Sequence, residues 1–158
     1  MSKIEDMSIG LALFRDSLNG YVIGVLADKS DDILERVKEQ LFEGIGGSGE
    51  PLEPGYENDP FFGGDVDRAR RFMRWKEHVS GYRAPERGVN LYINGAFHDS
   101  MYVDLQDDGI KVTSPMENPI MEKWGVENFA PTDDWMEANV KEELLDKLLY
   151  ELRESLSI

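Results

Sequence analysis

Toward the end of the chain, Met136, Val140, Leu144, Leu148 and Leu152 fall four residues apart, and Leu145 and Leu149 widen the stripe. That spacing lines apolar side chains along one side of an α-helix. Asp134 and Glu137 fit a cap and its third-residue partner, and Glu137–Lys141 and Glu143–Lys147 stand in the favourable four-apart order. A long helix with one apolar side must bury that side against another element. The chain is therefore committed to a packed fold.

Its 158 residues suit one domain, with 41% hydrophobic and 10% aromatic residues, enough to build a core without covalent staples. There is no cysteine, which removes disulfides, thiolate catalysis and cysteine–zinc sites together and suits a reducing compartment. The first residues, Met1-Ser2-Lys3-Ile4-Glu5-Asp6, carry acids where a signal peptide carries bases. No uninterrupted apolar run approaches the roughly 20 residues of a membrane span, so a cytoplasmic protein is expected.

Earlier in the chain, Ile9–Phe14 and Tyr21–Ala27 are apolar runs separated by a segment ending in Asn19-Gly20, a hairpin signal. Ser30 heads a helix through Glu43, with Ile33, Leu34, Val37 and Leu41 at helical spacing. Residues 44–64 lose periodicity and gain glycine, proline and acids, which reads as a long loop. A second helix is predicted from Asp65 to Ser80, stopped by Gly81, with Val66, Ala69, Phe72, Met73 and Val79 inward. A meander follows: Val89–Ile93, a turn at Asn94-Gly95, Ala96–Leu105, a turn at Asp107-Asp108-Gly109, then Ile110–Thr113. Asn118-Pro119 opens a short helical turn ending at Gly125. The expectation is a single α+β domain over 1–158, with 1–6 a candidate for disorder. A mostly antiparallel sheet of about five strands would be packed by three main helices, the last long and amphipathic.

Charge is the most unusual property. There are 32 acids against 17 bases, a net charge of −15. Such a field repels nucleic acid and anionic membranes and draws basic partners. The exception is the stretch 68–87, where Arg68, Arg70, Arg71, Arg74, Lys76, Arg83 and Arg87 face only Glu77 and Glu86.

The motifs that carry chemistry fall away on inspection. Gly44-Ile45-Gly46-Gly47-Ser48-Gly49 matches the dinucleotide fingerprint in letters only, since a helix precedes it and Glu50-Pro51 follows. It reads as a helix stop and hinge. His78 and His98 have no zinc spacing, and no serine stands in a nucleophile elbow beside His98-Asp99, which reads as a surface or turn histidine. Asp104, Asp107 and Asp108 at a strand end have the right oxygens for magnesium, but Asp-Asp-Gly is also what a tight turn wants. No catalytic residue, metal or cofactor is assigned.

Two surfaces remain. In the loop, Glu53, Tyr56, Glu57, Asp59, Phe61 and Phe62 combine acids with aromatic anchors for a basic partner. On the second helix, Arg70, Arg71 and Arg74 form a basic contact that answers an acidic neighbour or grips phosphate. The resulting expectation is an acidic protein that binds and neutralises a basic macromolecule, of immunity-protein or phage-inhibitor type; the partner would be a toxin or a nucleic-acid-binding enzyme. The alternatives are a metal-dependent hydrolase using the strand-end aspartates and a nucleic-acid adaptor using the basic helix.

Overall fold

The computed structural model describes residues 3–82 and 89–156. The chain is mostly helical, with one two-stranded antiparallel sheet among the described residues. This overturns the α+β expectation of about five strands packed by three helices. Two of the expected strand regions are something else.

The first is at the N-terminus. The runs Ile9–Phe14 and Tyr21–Ala27 do not pair across Asn19-Gly20; both belong to one helix, α1 (Lys3–Asp28). Residues 3–6, a candidate for disorder, form its first turn. Seven-residue spacing explains the outcome: Ile4, Leu11 and Leu18 repeat, as do Met7, Phe14 and Tyr21, and both repeats pass unbroken through the Asn-Gly pair. Among the described residues α1 is also the one helix long and apolar enough to cross a membrane, with mean hydropathy 1.2 over 18 residues and 11% of that window buried. The expectation that nothing approaches a span is corrected to that extent.

The second is the segment 89–100. Leu91 takes a positive φ of 50°, which breaks any strand over Val89–Ile93. Asn94 then accepts a hydrogen bond from the Ala96 amide at 3.1 Å, and Gly95 at φ 85° leads into α4 (Ala96–Ser100) rather than into a strand. The expected hairpin survives further on, as β1 (Tyr102–Gln106) and β2 (Gly109–Thr113) around Asp107-Asp108.

The helices legible from periodicity are present as α2 (Ser30–Phe42) and α3 (Val66–Ser80), and the short turn expected from Asn118-Pro119 to Gly125 is α5 (Glu117–Trp124). The C-terminal helix is α6 (Asp133–Met136), a π turn over Glu137–Lys141 and α7 (Glu142–Leu156). The chain forms two compact units. One gathers α1, the hairpin tip Asp104–Lys111 and the helices from Asp134 onward; the other holds Asp32–Val103 and Val112–Asp133.

In the first unit α1 and α7 run antiparallel. Gly10 meets Ser155 so closely that a Cβ would collide with its backbone oxygen, and Lys29 pairs with Glu143 at 2.7 Å. The Asn19 side chain donates to the Asp107 carbonyl at 2.5 Å, tying the hairpin tip to α1.

In the second unit Ile33, Val37 and Leu41 are fully buried along α2. Gln40 joins them at 0% exposure, because its amide is satisfied: it donates to the Ala130 carbonyl at 3.0 Å and accepts from the Thr132 amide at 3.2 Å. The glycine-rich turn closes on itself through an isolated bridge between Ile45 and Pro51 and the bond from the Gly46 amide to the Glu50 carbonyl at 2.8 Å. Gly46 and Gly47 lie against Asn128 and the Glu127 carbonyl, where a Cβ would not fit. These glycines answer to packing, and the hinge reading gives way to a closed turn.

Candidate functional site

The loop and the basic helix, picked out separately in the sequence, are brought together in the second unit. Asp65 caps α3 by accepting from the Arg68 amide at 2.9 Å, and Gly81 closes it in the left-handed conformation. The loop packs on α3 as two short 3₁₀ turns, Tyr56–Asn58 and Pro60–Phe62.

Most of the loop's carboxylates are spent on holding it there. Glu53 accepts from the Gly55 amide at 2.8 Å, and Glu57 pairs with Arg70 at 2.9 Å. Asp59, 3% exposed, caps the Phe61 amide at 2.9 Å and pairs with Lys123. Tyr56 and Phe62 are buried. Of the six loop residues picked out for partner binding, the anchor left well in the open is Phe61, at 66% exposure.

Phe61 is the end of a row of rings. It stands 5.1 Å from Phe62 by centroid, Phe62 5.5 Å from Phe72, and Phe72 5.5 Å from Trp75, which is 49% exposed. The Arg68 guanidinium lies 5.4 Å over Phe61 and 6.0 Å over Phe62. Arg71 and Arg74 are exposed on the same helix, whereas Arg70 is tied to Glu57. Arg83 and Arg87, the other bases of the segment, lie outside the described residues. The result is an edge open at both ends, Phe61 and Trp75, with Phe62 buried and Phe72 half-buried between them.

Beside the edge is a cleft of about 210 Å³ walled by Tyr56, Phe72, Ile93, Ile120 and Trp124. Lys76 also lines it. The sequence places Lys76 with the exposed arginines; the structure buries it to 2%. Its ammonium donates to the Tyr56 hydroxyl at 3.0 Å and to the Asn90 side-chain oxygen. Burial lowers its pKa to about 8, and burial, helped by Asp59, raises that of Tyr56. The clue was its position, four residues beyond Phe72 and seven beyond Ala69 on the buried side. Val66 and Val79, expected there, are exposed instead.

No family model, curated protein or solved structure matches the chain. The remaining sequence candidates fall into ordinary places. His98 is not at the surface: it is buried on α4, its Nε2 3.3 Å from the Asn90 carbonyl and its ring against Tyr92 and Phe97. Burial lowers its pKa. His78 is exposed on α3, and Asp104, Asp107 and Asp108 are exposed around the hairpin turn. Among the described residues no group of three or more His, Cys, Asp or Glu gathers as metal ligands would.

Proposed function

We propose that the protein acts by binding another macromolecule, a protein partner engaged through the edge from Phe61 to Trp75. The observation that carries this is the row of rings open at both ends under Arg68. Rigid aromatics with arginine beside them, backed by packed neighbours, are what hot spots of protein interfaces are made of. The net charge of −15 favours a basic partner, as an inhibitor or immunity-type protein in the cytoplasm would have. Because Glu57 and Asp59 are held in internal pairs, we assign long-range attraction to exposed acids elsewhere, including Asp31 and Glu35 of α2.

A photo-crosslinking residue in place of Phe61, set beside one in place of Asp104, tests this in a host lysate. A single protein trapped from position 61 and not from position 104 supports the reading; identical labelling from both sites refutes it.

A second reading has an observation of its own. Arg68, Arg71 and Arg74 share α3 with Trp75, and arginine beside an aromatic platform suits single-stranded nucleic acid. Binding of a labelled oligonucleotide that weakens steeply with salt, and vanishes when Arg71 and Arg74 become Glu, would favour it over a protein partner.

A further inference from the structure

The first unit has an apolar side that nothing in it covers. In α1 only Gly10 and Val25 are buried, and in α7 no residue is. The contact between them runs along Gly10, Phe14 and Tyr21 on α1 and along Leu144, Leu148 and Ser155 on α7, as helical spacing from the Gly10–Ser155 approach requires. Next round α1 come Leu11, Leu18 and, two turns before Leu11, Ile4. One residue further round α7 come Leu145 and Leu149. In an antiparallel pair both steps turn toward the same side, so the two rows form a single face. Ile4, Leu11 and Leu18 are 79%, 50% and 38% exposed there, and Leu145 and Leu149 are 50% and 49%.

From this face we infer that the protein pairs with a second copy of itself, two helical hairpins closing into a four-helix bundle. Three considerations select that occupant. The first is size: α7 has 15 residues, about 22 Å of helix at ~1.5 Å per residue, and α1 runs about 10 Å beyond it from the Gly10–Ser155 approach. Two helices at the usual spacing make a face about 20 Å wide. The footprint is roughly 550 Å² on each copy, about 1,100 Å² for the pair, just above the ~1,000 Å² that a biological interface should clear. The second is shape, since an aliphatic face of two antiparallel helices is what a bundle of two hairpins packs against itself. The third is charge. The residues flanking the face are Arg15, Glu142 and Arg153, so the strong negative charge of the chain is not concentrated against it. A bilayer is the poorer occupant, because α7 would carry Glu143, Asp146, Glu151 and Glu154 into it alongside α1, which has the Arg15–Asp16 pair near its middle.

Sedimentation velocity on the full chain over a wide concentration range tests this. The expected result is the mass of two 18.0 kDa chains. The double substitution Leu11→Glu with Leu149→Glu should halve that mass and keep the helical circular dichroism, while Phe61→Ser, in the other unit, should leave the dimer intact. Should the double variant fail to fold, Leu145→Lys alone is expected to weaken the dimer at least tenfold. A one-chain mass at every concentration overturns the inference. So does a dimer indifferent to both changes at this face, or a monomer that floats with phosphatidylcholine vesicles.

Discussion

Replacing Lys76 with Met isolates the energetics of the cleft. In the folded chain the Lys76 pKa is about 8, against an ordinary value of 10.5. Between those two values the unfolded chain holds a proton that the folded chain does not. Folding stability from this group therefore rises with pH, is complete above the unfolded value, and is lost as pH falls through the folded one. The slope is at most about 1.4 kcal/mol per pH unit. Tyr56 works the other way: its raised pKa stabilises the fold below its ordinary value of 10.0, and that contribution fades above it. The useful window thus runs from pH 8 to pH 10. Over it, the wild-type chain should gain about 2 kcal/mol relative to Lys76→Met. Urea unfolding of both proteins at pH 7, 8, 9 and 10 measures this, and the comparison cancels every group the two chains share. Parallel pH curves would refute the reasoning and mean that Lys76 meets water in the folded protein.

Other substitutions have equally specific outcomes. Gln40→Leu leaves the Ala130 carbonyl and the Thr132 amide without their buried partner; we expect a loss of about 2–5 kcal/mol in urea unfolding. Gly47→Ala drives a methyl into the Glu127 carbonyl, which should cost about 1–3 kcal/mol and lower Tm in calorimetry, without changing the helical signal. Phe61→Ser removes an exposed ring and should leave stability within about 0.5 kcal/mol while abolishing partner capture. His98 is held neutral by burial, so its share of stability is present above its ordinary pKa of 6.5 and is lost as pH falls below it. His98→Gln should flatten that acid-side loss in thermal melts.

Much of the helical part was legible in the sequence. α2 and α3 announced themselves through spacing, and Asp65 and Gly81 marked the ends of α3 as they do in the structure. The tight turn at Asp107-Asp108 was equally plain. What was not legible was the absence of a larger sheet. Asn19-Gly20 between apolar runs is a strong hairpin signal, and Val22, Ile23 and Val25 are strand formers. The competing seven-residue repeat through Ile4, Leu11 and Leu18 was blurred by Ile9, Leu13 and Leu26 elsewhere round the helix. Val89, Leu91 and Ile93 alternate like a strand, but the Asn90 side chain takes the Tyr92 amide at 3.2 Å and Leu91 turns left-handed. At the candidate site the composition was visible and the pairing was not. That Glu57 would meet Arg70 and Asp59 would meet Lys123 depends on how loop, α3 and α5 come together, which no local pattern encodes.

The most direct trial of the binding edge is an affinity series once a partner is in hand, comparing wild type with Phe61→Ser, Trp75→Ser and Arg68→Ser by calorimetry. Each should weaken binding by about 2 kcal/mol or more, roughly thirtyfold, with folding unchanged. Wild-type affinity in all three would mean that the partner meets some other surface and that the open ring row is only the rim of a core.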